Sequence, residues 1–163
     1  LSRNPNIHAV FVTPHWGIEY EHKPEPRQVA WAKDMIEAGA TAVIGQHPHV
    51  MQPIEKVTAS DGREVPVAYS LGNFVSGQIG LPRQSSAILL LGMTPGANGK
   101  LTTAALGWIP LHMVTSGGFY AEPTDRTRSP EAKLSRDHLV KLLVEGNLQP
   151  PMLPYWGNQT CPA

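Results

Sequence analysis

Apolar and polar positions in the first third of the chain predict a strand, a helix and a second strand. The apolar runs within residues 7–13 and 41–45 are typical of short buried strands. Residues 24–38 predict a helix between them, because Pro26 suits a first helical turn and Gly39 suits a C-terminal cap. The residues expected on its buried face are Val29, Ala32 and Ile36. The short connections predict a right-handed parallel unit.

After residue 51 the pattern changes to paired strands. Residues 60–63 and 95–99 are rich in turn formers, so each separates two strands of a hairpin. The predicted strands are residues 54–59, 65–70, 86–93 and 101–114. Asn73 lies in a loop that follows the second of them. The order of elements predicts an α/β fold with mixed sheets and flanking helices.

The last predicted helix begins with Ser129 as N-cap and Pro130 in the first turn, and it ends at Gly146. The residues expected on its apolar stripe are Leu134, Leu139, Leu142 and Leu143. Residues 147–163 contain four prolines and predict an extended tail. We therefore divide the chain into one domain, residues 1–146, and a proline-rich tail.

Composition narrows the functional classes. The 13 basic and 13 acidic residues give zero formal charge, so there is no electrostatic argument for nucleic acid or for an anionic membrane surface. The apolar run at residues 87–91 is far too short to span a bilayer. The chain starts at Leu1 without an initiating Met, which favours a fragment or a processed product with a segment upstream. The single cysteine, Cys161, has no internal disulfide partner.

Three histidines follow the first two predicted strands. His15 lies in the loop after the first strand, and His47 and His49 lie in the loop after the second. Since the carboxyl ends of parallel strands meet at one sheet edge, we expect these imidazoles to converge on a metal ion. Pro48 would stiffen the loop and restrict His47. The alternative is that they are loop histidines bonded to backbone groups.

Other polar residues could complete such a site. Glu19 could be a metal ligand, could hydrogen-bond an imidazole, or could act as acid or base, and Glu55 is a second candidate carboxylate. Asn73 could orient a substrate or cap its own turn. Arg83 and Arg126 lie in loops and could reach an anionic substrate, although the sequence does not fix their direction.

Five blocks of the sequence, in this order and spacing from residue 7 to residue 75, resemble the CapA family of bacterial capsule and poly-γ-glutamate biosynthesis proteins. The blocks are residues 15–20, 28–40, 45–50, 52–55 and 69–74. Gln46 stands where the related metal-binding motif usually has a glycine, and Gly45 lies one position earlier. The resemblance after about residue 77 is loose.

The family is similar to the calcineurin-like metallophosphoesterases, so the resemblance implies part of a two-sheet α/β sandwich with metals at the strand ends. It implies that His15, His47 and His49 are metal ligands and that Glu19 and Asn73 are catalytic residues that position substrate or water. That superfamily takes further ligands from an N-terminal half, so this chain is expected to be the C-terminal portion. The full-length protein would hold two divalent ions, with Mn, Zn and Fe all open.

The resemblance implies a capsule or poly-γ-glutamate biosynthesis protein that acts as a metal-dependent hydrolase. The alternative is a non-catalytic subunit that binds or exports the polymer, and a plain structural fragment without metal is a third interpretation. Expected partners are an anionic polymer or phosphoester substrate, the missing N-terminal segment or a partner chain, and other capsule-synthesis subunits. The expected location is the extracytoplasmic side of the bacterial cell envelope, with an anchor in a segment absent here.

Overall fold

The computed structural model describes residues 3–96, 99–126 and 129–144. These residues form two sheets and two helices, which confirms the predicted α/β class and fits a partial α/β sandwich. The proline-rich tail at residues 147–163 lies outside the described residues. In chain order the elements are β1 (Phe11–Val12), α1 (Pro26–Glu37), β2 (Ala42–Ile44), β3 (Ile54–Thr58), β4 (Glu64–Ala68), β5 (Ser85–Pro95), β6 (Leu101–Val114), β7 (Tyr120–Pro123) and α2 (Pro130–Val144).

The first sheet has the strand order β1-β2-β4-β3. Strands β1, β2 and β4 are parallel neighbours, and β3 runs antiparallel beside β4. The predicted strand–helix–strand unit is therefore confirmed as a parallel pair joined through α1. The strands themselves are shorter than predicted, with two residues in β1 and three in β2.

Helix α1 begins two residues later and ends one residue earlier than predicted, and its buried face differs. Glu25 precedes the helix, and its amide donates a hydrogen bond of 2.9 Å to Oε1 of Gln28. Gly39 follows the helix with a φ of 98°, a conformation that favours glycine. The expectation that Val29 is buried is wrong, because Val29 is 48% exposed and Gln28 is 1% exposed. Gln28 is buried because both ends of its amide have partners.

The second sheet is antiparallel, with the order β5-β6-β7. The β5–β6 hairpin and the start of α2 agree with the prediction, whereas β7 was not predicted. Leu134 was expected on the apolar stripe of α2 but is 56% exposed. The α2 side chains that are buried are Ala132, Ser135, Leu139 and Leu143. Ser135 is tolerated inside because its hydroxyl bonds to Ser85 and His112.

Two apolar clusters pack the helices against the sheets. The first cluster includes Trp16, Ile36 and Tyr69 and lies between α1 and the first sheet. The second includes Met51, Ile54 and Leu139 and joins the first sheet to α2. Burial of such side chains is the main stabilising term of a domain this size. In the described part of the chain, neither helix is long and apolar enough to cross a bilayer.

His138 on α2 makes stability depend on pH. Burial, with smaller contributions from His22 and Lys141, lowers the pKa of His138 below its ordinary value of 6.5. The unfolded chain therefore takes up this proton at a higher pH than the folded chain, and acidification through 6.5 destabilises the fold. We expect His138→Gln to reduce the loss of unfolding free energy between about pH 7 and pH 5, measured by urea denaturation.

His8 supplies the control, because it is exposed and its ring contacts the Gly99 carbonyl at the far end of β1, away from α2. His8→Gln should leave the pH dependence close to that of the unchanged chain. An equal flattening in both variants would contradict the assignment to His138.

Candidate metal centre

The parallel pairing of β1 with β2 continues into the two histidine loops. His15 forms a parallel bridge with Gln46. The Trp16 amide donates to the Gln46 carbonyl at 3.1 Å, and the Gln46 amide donates to the Pro14 carbonyl at 3.0 Å. Because these bonds fix the register of the loops, the rings of His15 and His47 lie side by side with centroids 4.3 Å apart. Both loops therefore leave the sheet at the same edge, as expected.

Close packing of Trp16 against Gly45 sets the position of the first loop. Trp16 is buried, and its indole N–H donates a hydrogen bond of 2.8 Å to the Tyr69 carbonyl. A Cβ at position 45 would overlap both the Tyr69 carbonyl oxygen and the indole nitrogen of Trp16. Glycine is thus required here for close approach, since any side chain would displace Trp16 and the adjoining His15.

Three candidate metal ligands come together at this edge. One ligand atom from each of Glu19, His47 and His49 lies within 4.8 Å of the other two. The Glu19 Oε1 to His49 Nε2 distance is 3.7 Å, and the His47 and His49 ring centroids are 6.1 Å apart. His15 borders this triad through His47 but is not one of its three members among the described residues.

The triad fits a divalent cation. Two imidazoles and one carboxylate are a common protein ligand set for zinc and for non-haem iron, and they leave coordination positions for water or substrate. Ligand atoms that each bind one ion at roughly 2.1 Å lie up to about 4.2 Å apart. The observed separations, up to 4.8 Å, therefore need only a small closure. The side chains of His49 and Glu19 are 33% and 47% exposed, so the site is open to solvent.

Asn73 fixes the tautomer of His49. The Asn73 side-chain amide donates hydrogen bonds of 3.1 Å to the Arg83 carbonyl and to Gln78 Oε1. A backbone carbonyl only accepts, so Asn73 Oδ1 must be the atom 2.8 Å from His49 Nδ1. Nδ1 of His49 thus carries a proton, and Nε2 is the ring nitrogen that lies towards Glu19. Hydrogen bonds of this kind orient metal-binding histidines.

The site carries strained backbone. The non-glycine residues with positive φ in the described part of the chain are Tyr20 at 68°, His47 at 107° and His49 at 61°. Each costs about 1–3 kcal/mol and persists only where other contacts hold it. The proline after His47 favours an extended conformation there, and the structure departs from that expectation. A contact that holds these loops together is the hydrogen bond of 2.7 Å from the Tyr20 amide to the Pro48 carbonyl.

Two buried glutamines, Gln28 and Gln52, connect the loop before α1 to the segment that follows the second histidine loop; we call this pair the brace. Gln28 Nε2 donates to Gln52 Oε1 at 2.9 Å, and Gln52 Nε2 donates to the Glu21 carbonyl at 2.8 Å. A Cβ on Gly17 would meet the Gln28 side chain at 2.8 Å, so the first loop lies directly on this pair. The sequence pattern alone did not predict this buried pair of glutamines. The signal available was the presence of both glutamines within the resembling blocks.

The remaining candidates lie away from the triad. Glu55 accepts a hydrogen bond of 2.6 Å from the Tyr69 hydroxyl, and burial together with this bond raises the Tyr69 pKa. Glu55 is therefore engaged on β3 and is not a member of the triad. His112 is buried and bonded to Ser135 at 2.9 Å, which is a structural arrangement. The roles of Glu19 and Asn73 as catalytic residues stay predictions.

Comparison with known proteins confirms the resemblance drawn from the sequence blocks. Residues 3–78 match the family described as bacterial capsule synthesis protein PGA_cap. That range includes β1 to β4, the triad, His15 and Asn73. The described structure continues beyond the match, through the second sheet and α2.

The names of three relatives refer to the synthesis of capsule, PGA or polyglutamine. The chain is 40% identical over 108 residues to the capsule biosynthesis protein CapA of Bacillus anthracis, covering 66% of this chain and 24% of the relative. It is 37% identical over 91 residues to the PGA biosynthesis protein CapA of Bacillus subtilis, covering 56% and 23%. A probable polyglutamine synthesis accessory protein of Mycobacterium tuberculosis is 31% identical over 154 residues, covering 84% and 39%. The chain thus spans about a quarter of the length of the first two relatives.

Because the φ of His47 is positive, we expect glycine to be more stable than alanine at this position, which reverses the usual order. At ordinary backbone angles, glycine is less stable than alanine by about 0.5–1 kcal/mol. At a φ of 107°, alanine keeps the strain and glycine removes it. We expect His47→Gly to be more stable than His47→Ala by up to about 1 kcal/mol in chemical denaturation with a chelator present.

His22 provides the matched comparison, because it is a loop histidine without a positive φ. There we expect the ordinary order, with His22→Ala the more stable variant. Finding alanine more stable at both positions would show that His47 stores no strain.

Proposed function

We propose, from the match of residues 3–78 to the family of bacterial capsule synthesis proteins, that the chain is part of a CapA-like protein of capsule or poly-γ-glutamate biosynthesis. We propose further that it contributes to a metal-dependent, phosphoesterase-type site. The observation that carries the second proposal is the triad of Glu19, His47 and His49 at the carboxyl ends of parallel strands. Since the chain spans 24% of its Bacillus anthracis relative, the activity is assigned to the whole protein.

The residues that would hold a divalent ion are Glu19, His47 and His49, with His15 beside them. When bound, such an ion lowers the pKa of a coordinated water and polarises a phosphoryl oxygen. The protein's part is to present the ligand atoms in the correct protonation state. Asn73 does this for His49 by accepting a hydrogen bond from Nδ1–H, so that Nε2 is the nitrogen that would bind the ion. Mn, Zn and Fe are all compatible with this ligand set.

His15 and Glu19 have two further roles in the proposal. His15 lies against the His47 ring and would bind a second ion together with ligands from outside this chain. The half-exposed Glu19 carboxylate would either hold the ion or act as a general base towards a water. Both roles depend on the loop between β1 and α1, which carries these two residues.

The second candidate is a non-catalytic subunit that binds or exports the polymer. The exposure of His49 and Glu19 favours this alternative, because a surface-open ion can hold a long polyanion without enclosing a reacting bond. In either case we propose the extracytoplasmic side of the cell envelope as the location. The proposed partners are the polymer or a phosphoester, the remainder of the CapA-like protein and other capsule-synthesis subunits.

The metal site is tested by removing one ligand. We expect His47→Ala to lower the bound Mn or Zn of the purified protein at least 10-fold, because a three-ligand site loses a third of its donors. Metal content is measured by elemental analysis after dialysis, and hydrolysis of a generic phosphodiester is measured in parallel. His8→Ala is the control, since His8 lies at the opposite end of β1.

Three outcomes separate the candidates. Hydrolysis that disappears in His47→Ala and survives in His8→Ala supports the enzyme. Bound metal without turnover, together with poly-γ-glutamate binding, supports the polymer-binding subunit. Equal metal content in both variants overturns the metal site and both candidates that use it.

Substitution of Asn73 tests whether this residue orients His49 for metal binding. Asn73→Leu keeps a side chain of similar volume but removes the acceptor for His49 Nδ1. We expect metal affinity to fall about 10–100-fold while all three ligands remain present. Competition with a fluorescent chelator measures the affinity, and Asn73→Asp should restore part of it, because Oδ1 is retained while the hydrogen bonds donated to Gln78 and Arg83 are lost. Unchanged affinity in Asn73→Leu would contradict the orienting role.

A further inference from the structure

Arg83 lies next to the metal triad through one shared aromatic ring. Its guanidinium carbon is 5.4 Å from the centroid of the Tyr20 ring. The same ring stacks on His49, with centroids 5.9 Å apart and an interplanar angle of 27°. Tyr20 therefore links a permanent positive charge to a candidate metal ligand. The structure supplies the direction of Arg83 that the sequence left open.

The backbone of Arg83 is fixed by the residue that orients His49. The Arg83 carbonyl accepts a hydrogen bond of 3.1 Å from the Asn73 side chain. The Arg83 amide donates to the Gly80 carbonyl at 3.0 Å, which closes a turn. Gly80 has a φ of 111°, and a Cβ there would approach Arg83 Nη2 to 3.0 Å, so the side chain folds back over this turn. Both the backbone and the guanidinium of Arg83 therefore have defined positions.

The guanidinium has no carboxylate partner among the described residues. The ion pairs found there join His49 to Glu19 and Arg63 to Asp61. Arg63 shows the contrast, because its guanidinium also donates to the carbonyls of Ala40 and Ile36. A guanidinium presents a planar fork that matches an oxyanion, and stacking on an aromatic ring leaves its N–H groups available. Arg83 is therefore equipped to bind an anion beside the triad.

We propose that Arg83 and Tyr20 form an anion subsite that binds a carboxylate of an acidic polymer next to the metal site. This inference rests on the proposed function. An anion on Arg83 is separated from the triad by the Tyr20 ring, so it is a second anionic group and not the one at the metal. Successive carboxylates of a γ-linked glutamate chain provide such a second group. The Tyr20 ring, 48% exposed, offers an apolar surface for the intervening methylenes.

Binding of a γ-linked glutamate oligomer to the full chain, measured by isothermal titration calorimetry with Mn²⁺ present, tests the subsite. We expect Arg83→Gln to weaken binding about 10-fold or more, because a charge-assisted hydrogen bond to the carboxylate is lost. Arg83→Lys should recover part of the affinity, since it keeps the charge and loses the fork. Affinity for Mn²⁺ alone should match that of the unchanged chain, which shows that the fold and the triad are intact.

Arg27→Gln is the matched control. Arg27 also lies over an aromatic ring, 5.2 Å from the centroid of Trp31, but on the exposed side of α1. We expect oligomer affinity to stay within about 2-fold of the unchanged chain, so a loss confined to Arg83→Gln supports a specific subsite. Equal losses in the two variants would indicate an effect of net charge and would overturn it.

Other outcomes distinguish this inference from the proposed function. Oligomer binding that is unaffected by Arg83→Gln overturns the subsite and leaves the proposed function standing. Binding of inorganic phosphate, and not of the oligomer, through Arg83 overturns the carboxylate assignment. Failure of the unchanged chain to bind the oligomer at all overturns both the subsite and the polymer as ligand.

Discussion

The candidate site depends on the parallel pairing that extends from β1 and β2 into the loops that follow them. Hydrogen bonds through Pro14, Trp16 and Gln46 carry the register of the sheet past the ends of the strands. Without this extension the two-residue strand β1 would hold its loop weakly, and His15 would not lie against His47. A short strand is sufficient here because the loop itself completes the pairing. Gly45 permits the arrangement by leaving room for Trp16.

The backbone strain of this arrangement lies in the histidine loops. His47 and His49 hold positive φ angles, so the chain gives up about 1–3 kcal/mol at each to aim two imidazoles from residues separated only by Pro48. The compensation lies in the brace of Gln28 and Gln52 and in the packing of the first apolar cluster. Backbone strain that the surroundings hold in place is typical of functional sites, which is consistent with a ligand-binding role for these histidines.

The periodic features of the fold were predictable, and the polar interior was not. Apolar runs and turn formers predict β4, β6 and both helices, because the spacing of apolar positions within one element follows the period of a strand or a helix. They misplace Val29 and Gln28, since only the three-dimensional partner Gln52 makes a buried glutamine favourable. The histidine loops were predictable from strand topology. The direction of the Arg83 side chain was not predictable, because the Tyr20 ring that it lies over is more than sixty positions away in the sequence.

Asn73 explains why the second sheet matters to a site built on the first. It lies in the connection from β4 to β5 and bonds at once to His49 and to the carbonyl of Arg83. A shift of that connection would change the tautomer of one residue and the position of the other together. The candidate metal site and the proposed anion subsite would therefore be coupled through one amide. A ligand that pulls on Arg83 acts on the same hydrogen-bond chain that orients His49, so polymer binding and metal affinity should depend on each other.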